Sequence, residues 1–187
     1  MRPIVVTEFI TLDGIVDSPG GGDHPHAGWT FKDVQFDEAA YDIKGRETEA
    51  ATALLFGRQS YDEFAPVWPS MEEFATYNAM PKYVVSSTLP GDTAPWGEGR
   101  VDVLRSLDEV ADLKGTEGGE IHVHGSATLA QGLAKAGLVD RYHLLVFPIL
   151  LGTGKRLFGE GDKTKLSLVE HAAYSNGITL QRYDVVR

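Results

Sequence analysis

Residues 120–158, EIHVHGSATLAQGLAKAGLVDRYHLLVFPILLGTGKRLF, read as a strand–turn–helix–strand unit. The apolar run Ile121–Val123 leads into Gly125-Ser126. Ala127–Ala136 then places Leu129, Leu133 and Ala136 at helical spacing. Gly137 stops the helix, and a second apolar run, His143–Leu150, begins. Two strands joined through a helix belong side by side in parallel sheet. Gly125 and Ser126 stand at the helix start, where unpaired backbone N–H groups and the helix dipole favour an anion. A phosphate-bearing cofactor is the first ligand this suggests.

The rest of the chain continues the alternation. Ile4–Thr11 is β-branched and apolar and reads as a strand ending in the turn Leu12-Asp13-Gly14. Residues 17–28, DSPGGGDHPHAG, are a loop by composition. Residues 34–52 read as a helix weakened by Gly45, Ala53–Phe56 as a short strand closed by Gly57, and Arg58–Phe64 as a brief helix before Pro66 and Pro69. Tyr83–Val85 and Val101–Leu104 are strands and Leu107–Lys114 an amphipathic helix. Lys165–Tyr174 and Ile178–Val186 make a hairpin about Asn176-Gly177. The pattern predicts an α/β three-layer sandwich with a central mixed, mostly parallel sheet ending in an antiparallel hairpin. With 187 residues and no linker, the expectation is one domain over 1–187, burying ~70% of the unfolded surface.

A net charge of −10 argues against nucleic acid and anionic membranes as partners. The absence of cysteine excludes disulfides, thiolate catalysis and cysteine-based zinc sites. The N-terminus lacks the features of a signal peptide and no apolar run reaches the ~20 residues needed to span a bilayer, so the cytoplasm is the expected location.

Ligands of such sheets gather beyond the carboxyl ends of the strands, and three clusters fall there. Gly57-Arg58-Gln59-Ser60 offers a guanidinium fork and a hydroxyl at a helix start, or simply a turn, a cap and a surface cation. Ser86-Ser87-Thr88 offers hydroxyls for a ribose phosphate, or a polar loop start. Gly125-Ser126-Ala127-Thr128 offers the helix-start anion site, or close packing. Leu151-Gly152-Thr153-Gly154-Lys155-Arg156 lacks the spacing of a phosphate loop and reads as a glycine-rich turn. Asp13 could contact substrate or supply a proton, or only make an Asp-Gly turn. Glu38, Asp42 and Glu47 read mostly as solvated helix face. His122 and His124 share one strand face; packing or hydrogen bonding fits them better than a metal, which would need a third ligand. His24 and His26 belong to the Gly/Pro loop. Of Trp29, Trp68 and Trp96, one or two could wall a planar ligand, with packing as the default.

In order, the segments Thr11-Leu12-Asp13-Gly14, Leu55–Tyr61, Val84–Leu89, His124–Leu129 and Pro148–Phe158 resemble the dihydrofolate reductase superfamily. Within it they are nearest the branch containing the reductase domain of the riboflavin-biosynthesis deaminase–reductase. The resemblance implies an NADPH-binding reductase fold, dimeric in this branch. By this resemblance Gly57, Arg58 and Ser60 approach cofactor phosphates, Ser86 and Ser87 lie near the adenosine phosphate, Gly125, Ser126 and Thr128 bind the pyrophosphate, and Asp13 lines the nicotinamide–substrate side. His124-Gly125-Ser126 stands where relatives often carry a run of glycines. The zinc deaminase half has no counterpart in a cysteine-free chain.

The expectation is therefore an NADPH-dependent reductase of a small polar heterocycle. It resembles the 5-amino-6-(5-phosphoribosylamino)uracil reductase of riboflavin biosynthesis, with a pterin or dihydrofolate as second substrate. Asp13 is the catalytic candidate, no metal is expected, and the state is homodimeric. A non-catalytic nucleotide or small-ligand binding protein on the same fold is the rival, and a metal enzyme using His122 and His124 the third reading.

Overall fold

A computed structural model describes residues 1–91, 96–97, 99–161 and 163–187. Its strands are β1 (Ile4–Thr11), β2 (Ala51–Gly57), β3 (Lys82–Val85), β4 (Val101–Leu104), β5 (Glu120–His124), β6 (Arg141–Phe147), β7 (Lys165–Ala173) and β8 (Thr179–Val186). They form one sheet in the order β4-β3-β2-β5-β1-β6-β8-β7. The first six run parallel; β8 lies antiparallel to β6, and β7 to β8. This is the expected mixed sheet with its closing hairpin. β1 sits between β5 and β6 and is buried along nearly its whole length, the environment that a continuous β-branched run suits.

The helices are α1 (Trp29–Lys32), α2 (Glu38–Ala50), α3 (Arg58–Phe64), α4 (Ala75–Ala79), α5 (Leu107–Gly115) and α6 (Ala127–Lys135). Side chains alternate across each strand, so the sheet has two apolar faces. Ile4, Val6, Leu55, Ile121 and Val123 pack with Val110 of α5 and Leu129 and Leu133 of α6. On the opposite face Leu54, Phe56 and Val84 pack with Tyr61 and Tyr77, while Leu145 and Phe147 pack with Trp29, Ala40 and Ile43. Helix, sheet and helix make the three layers. Among the described residues no helix is long and apolar enough to cross a membrane.

Several boundaries differ from the sequence reading, and three of the differences have a clear physical cause. The helix expected over 34–52 begins at Glu38, because Asp37 caps it by accepting from Ala39 N–H. It ends at Ala50, because Ala51 already pairs with Glu120 ahead of an irregularity in the register. The strand expected to reach Leu150 stops at Phe147, since Pro148 has no N–H to continue the ladder. The short helices α1 and α4, and the 3-10 turns Trp68–Ser70 and Glu72–Phe74, were not legible.

Helix α2 is tied to the sheet by a buried polar seam. Glu47 is only 2% exposed, whereas Glu38 and Asp42 on the same helix are exposed as expected. Both Glu47 carboxylate oxygens accept from the Thr7 hydroxyl at 2.8 Å. Lys44 Nζ donates to Thr7 Oγ1 at 2.7 Å and to Glu47 at 3.0 Å, and His143 Nδ1 lies 3.0 Å from Glu47. Burial works against the Glu47 charge, but the Lys44 ammonium and the His143 hydrogen bond outweigh it and hold the carboxyl well below its usual range.

Candidate functional site

The parallel strands β1–β6 end on one edge of the sheet, and a cleft of about 900 Å³ opens there. That volume is near the top of the ~300–1,000 Å³ range of small-molecule sites. Two turns build its floor. One runs from β2 through Gly57 into α3, the other from β5 through Gly125 into α6. They are stitched together: Gly57 N–H donates to Ser126 Oγ at 2.9 Å, and Ser126 Oγ donates to the His124 carbonyl at 3.2 Å. Two helix N-termini, whose first backbone N–H groups have no acceptor within their own helix and whose dipole ends are positive, therefore face one space.

Gly125 allows that close approach. Its φ is +69°, and a Cβ there would lie 3.0 Å from Phe64 Cζ and 3.5 Å from Ser60 Oγ. Gly125→Ala is expected to lose about 1–2 kcal/mol from the left-handed backbone alone, read by urea denaturation, and to weaken dinucleotide binding by shifting the turn. Arg58 reaches the cleft rim, steered by Asp62 at 2.6 Å. Lys155, from the loop after β6, joins it there and donates to Gln59 Oε1 at 2.5 Å. Ser60 and Thr128 complete the polar lining of this lobe. Opposite lies the loop Val16–Gly22, and from the C-terminal end of α3 onward the cleft passes over Phe64, Trp68 and Phe74.

A family model described as the RibD C-terminal domain matches residues 2–180. The chain belongs to the RibD C-terminal domain family. A curated relative, the uncharacterized protein YyaP of Bacillus subtilis (strain 168), is 26% identical over 182 residues, spanning 95% of this chain and 92% of its own. Among solved structures, the "putative riboflavin biosynthesis protein" of Shewanella sp. PV-4 superposes with a TM-score of 0.73 at 22% identity, covering 100% of both chains. A pyrimidine reductase-like protein of Corynebacterium diphtheriae gives 0.68 at 17%, covering 100% of this chain and 92% of its own. The dihydrofolate reductase of Enterococcus faecalis, complexed with NADP(H) and RAB-propyl, gives 0.61 at 14%, covering 99% and 97%. This RibD C-terminal domain thus has the dihydrofolate reductase-like fold.

Of the residues singled out in the sequence, Gly57, Arg58, Ser60, Gly125, Ser126 and Thr128 line the one cleft. Ser86 and Ser87 do not. Val85 lines it, but the Ser86 hydroxyl turns back to accept from Thr88 and Leu89 N–H, and Arg105 donates to the Ser86 carbonyl. Asp13 is also outside the lining. Its carboxylate accepts from the Thr11 hydroxyl at 2.6 Å and from Leu151 and Gly152 N–H at 3.1 and 2.8 Å. Desolvation opposes the Asp13 charge, but these bonds prevail and hold the carboxyl below its ordinary value. Asp13 thus clamps the turn after β1 to the loop after β6 and is ionised at neutral pH.

His122 and His124 do share a face. His122 lies 2.9 Å from Glu120, and His124 packs edge-on against Trp68 and Tyr77, its pKa pushed down to about 3 chiefly by burial. Among the described residues no group of three metal-ligating side chains converges. Of the tryptophans, Trp68 walls the cleft, while Trp29 and Trp96 are core.

Several cleft features were not read from the sequence. Phe64 and Phe74 are brought to Trp68 by the irregular turns, and Asp17 and Lys155 by the meeting of two loops, where Lys155 N–H donates to Asp17. Glu8 lies beneath the floor, 3% exposed, receiving the Gly125 N–H, with Oε1 lacking a partner among the described residues. An acid inside an apolar strand was the visible sign of it.

Proposed function

We propose that this cleft binds NADPH and that the protein is an NADPH-dependent reductase of a small planar substrate. The convergence of two helix starts with Arg58 and Lys155 on one space carries the reading, because only a ligand with several phosphates uses all of those donors. The likeness to a reductase complexed with NADP(H) supports it. The fit is also steric: a side chain at Gly125 would fill the cradle between Ser60 and Phe64.

In this reading the α3 and α6 N-termini, Arg58, Ser60 and Thr128 hold the phosphates, and Ser126 holds the two turns in register. When bound, NADPH supplies a hydride. The loop Val16–Gly22 and the aromatic wall exclude water and orient the substrate. Asp13 fixes the loops that form the cleft rim; its ionised carboxylate suits that task rather than proton donation. The family suggests a phosphoribosylaminopyrimidine as the first substrate to try and a pterin as the second. The test is NADPH oxidation followed at 340 nm with both. Turnover that falls on Arg58→Ala supports the reading, whereas NADPH binding with no turnover across such rings favours the binding-module reading.

We also propose that two copies associate through the hairpin. β7 is an edge strand, and Leu168 and Val169 on it are 49% and 52% exposed. Light scattering is expected to give about twice the 20.4 kDa chain mass, and Leu168→Glu to shift it toward one. A monomer at all concentrations would contradict the pairing.

A further inference from the structure

Glu8 is an acid in the middle of the sheet. It pairs with Leu144 of β6, and on its other side β1 runs beside β5, with Thr7 opposite His124. Alternation along β1 sends its side chain the same way as Val6 and Ile10, to the face that α5 and α6 cover. It is 3% exposed, and Oε1 has no partner among the described residues. What the carboxyl does receive is the Gly125 N–H, from the turn that leads into α6.

That turn is also the cleft floor, so its positive end has two possible anions. From above, a dinucleotide phosphate would draw on the amides at the start of α6. From below, an ionised Glu8 would draw on the Gly125 amide and on the same helix dipole. Two anions on either side of one turn repel strongly where water does not screen them. The neighbouring charges do little to relieve this. Lys44 of α2 favours the Glu8 charge but is bound to Thr7 and Glu47, and Glu47 opposes that charge. His124 of β5 is kept neutral chiefly by burial, and His143 of β6 is bonded to Glu47. The side chains that α6 buries are Ala127, Leu129, Ala130 and Leu133, all apolar. Lys114 of α5 is taken up by Asp140 and the Arg2 carbonyl. On the cleft side Arg58 is paired with Asp62, Lys155 is bonded to Gln59, and Asp17 and Glu63 are acidic.

Resting on the reductase reading, we infer that Glu8 is a positioning residue whose proton is coupled to the cofactor: the turn accepts the dinucleotide while Glu8 is protonated, and binding to the ionised form takes up a proton from solvent. The site is ready near neutrality and closes progressively in alkaline solution. Burial, as the chief cause, raises the Glu8 pKa to about 8. The protonated fraction therefore falls about tenfold between pH 7 and pH 9, and the apparent affinity falls with it.

The test is calorimetric titration of NADPH into the full chain at pH 7 and pH 9, a range in which phosphate monoesters are already largely ionised. The wild-type dissociation constant is expected to rise about tenfold. Glu8→Gln keeps an acceptor for the Gly125 N–H and has no proton to lose, so its dissociation constant should change less than about twofold over the same range. Wild type titrated at pH 8.5 in two buffers of different ionisation enthalpy should take up roughly half to one proton per NADPH. This count needs no variant, and a purely structural Glu8 would not produce it. Equal wild-type affinity at both pH values, a pH dependence that persists in Glu8→Gln, or no proton uptake would each overturn the coupling and leave the cofactor reading standing. Failure of NADPH to bind at pH 7 would overturn the cofactor reading, and the coupling with it.

Discussion

Replacing Glu47 by alanine is expected to remove about 3–5 kcal/mol of stability, a large share of the ~5–15 kcal/mol typical of a domain. The loss does not measure the attraction of one ion pair. It arises because Thr7, Lys44 and His143 all direct polar atoms at a carboxylate that is 2% exposed, and each is left in a dry layer between α2 and the sheet. Glu47→Gln keeps an acceptor for the Thr7 hydroxyl and should lose less. The pH dependence has a definite sign. The folded-state pKa of Glu47 lies below its ordinary value of 4.5, so its stabilisation is fully present above about that pH and is lost as the pH falls further. Urea midpoints of wild type and Glu47→Ala should therefore be far apart at pH 7 and draw together in acid. Coincident midpoints at pH 7 would mean that the seam is not holding α2.

Glu8→Gln should have the opposite sign and show it at the opposite end of the pH scale. Burial, opposed by Lys44 and the Gly125 N–H and reinforced by Glu47, raises the Glu8 pKa from 4.5 to about 8. The folded protein thus keeps a proton that the unfolded chain has released. Between those two values folding stability falls as the pH rises, by about 1.4 kcal/mol per unit at most. Glutamine keeps an acceptor for Gly125 N–H and does not ionise. The variant should match wild type near pH 5 and exceed it by roughly 3–4 kcal/mol near pH 8. Denaturation across that range checks it, and parallel stability curves for the two proteins would rule out a neutral buried Glu8.

What the sequence shows here is what local pattern encodes. Ile4–Thr11 is legible because a central parallel strand needs a continuous apolar, β-branched run, and the hairpin because Asn176-Gly177 suits its turn, with φ of +85° at Gly177. The helix starts at Arg58 and Ala127 are legible from the glycine turns before them. The seam and the aromatic wall are not. Glu47 looks like its exposed neighbours Glu38 and Asp42 until Thr7 and His143 arrive from two strands. Phe64, Trp68 and Phe74 have no common period, and Pro66 and Pro69 interrupt them, so only the folded 3-10 turns bring their rings parallel. Asp13 and Ser86 read correctly as strand-end residues. Which way their polar groups turn depends on the Leu151 and Gly152 amides and on the Leu89 amide, partners that local pattern does not identify.

The account depends on the glycine turns of β2 and β5 forming one dinucleotide cradle, and calorimetric titration of NADPH into wild type, Arg58→Ala and Gly125→Ala tests it most directly. Micromolar binding to wild type, weakened about tenfold or more by each substitution, is the predicted result; tenfold corresponds to ~1.4 kcal/mol, the scale of one charge-assisted contact. No heat of binding up to millimolar NADPH, or binding that neither substitution alters, would contradict it.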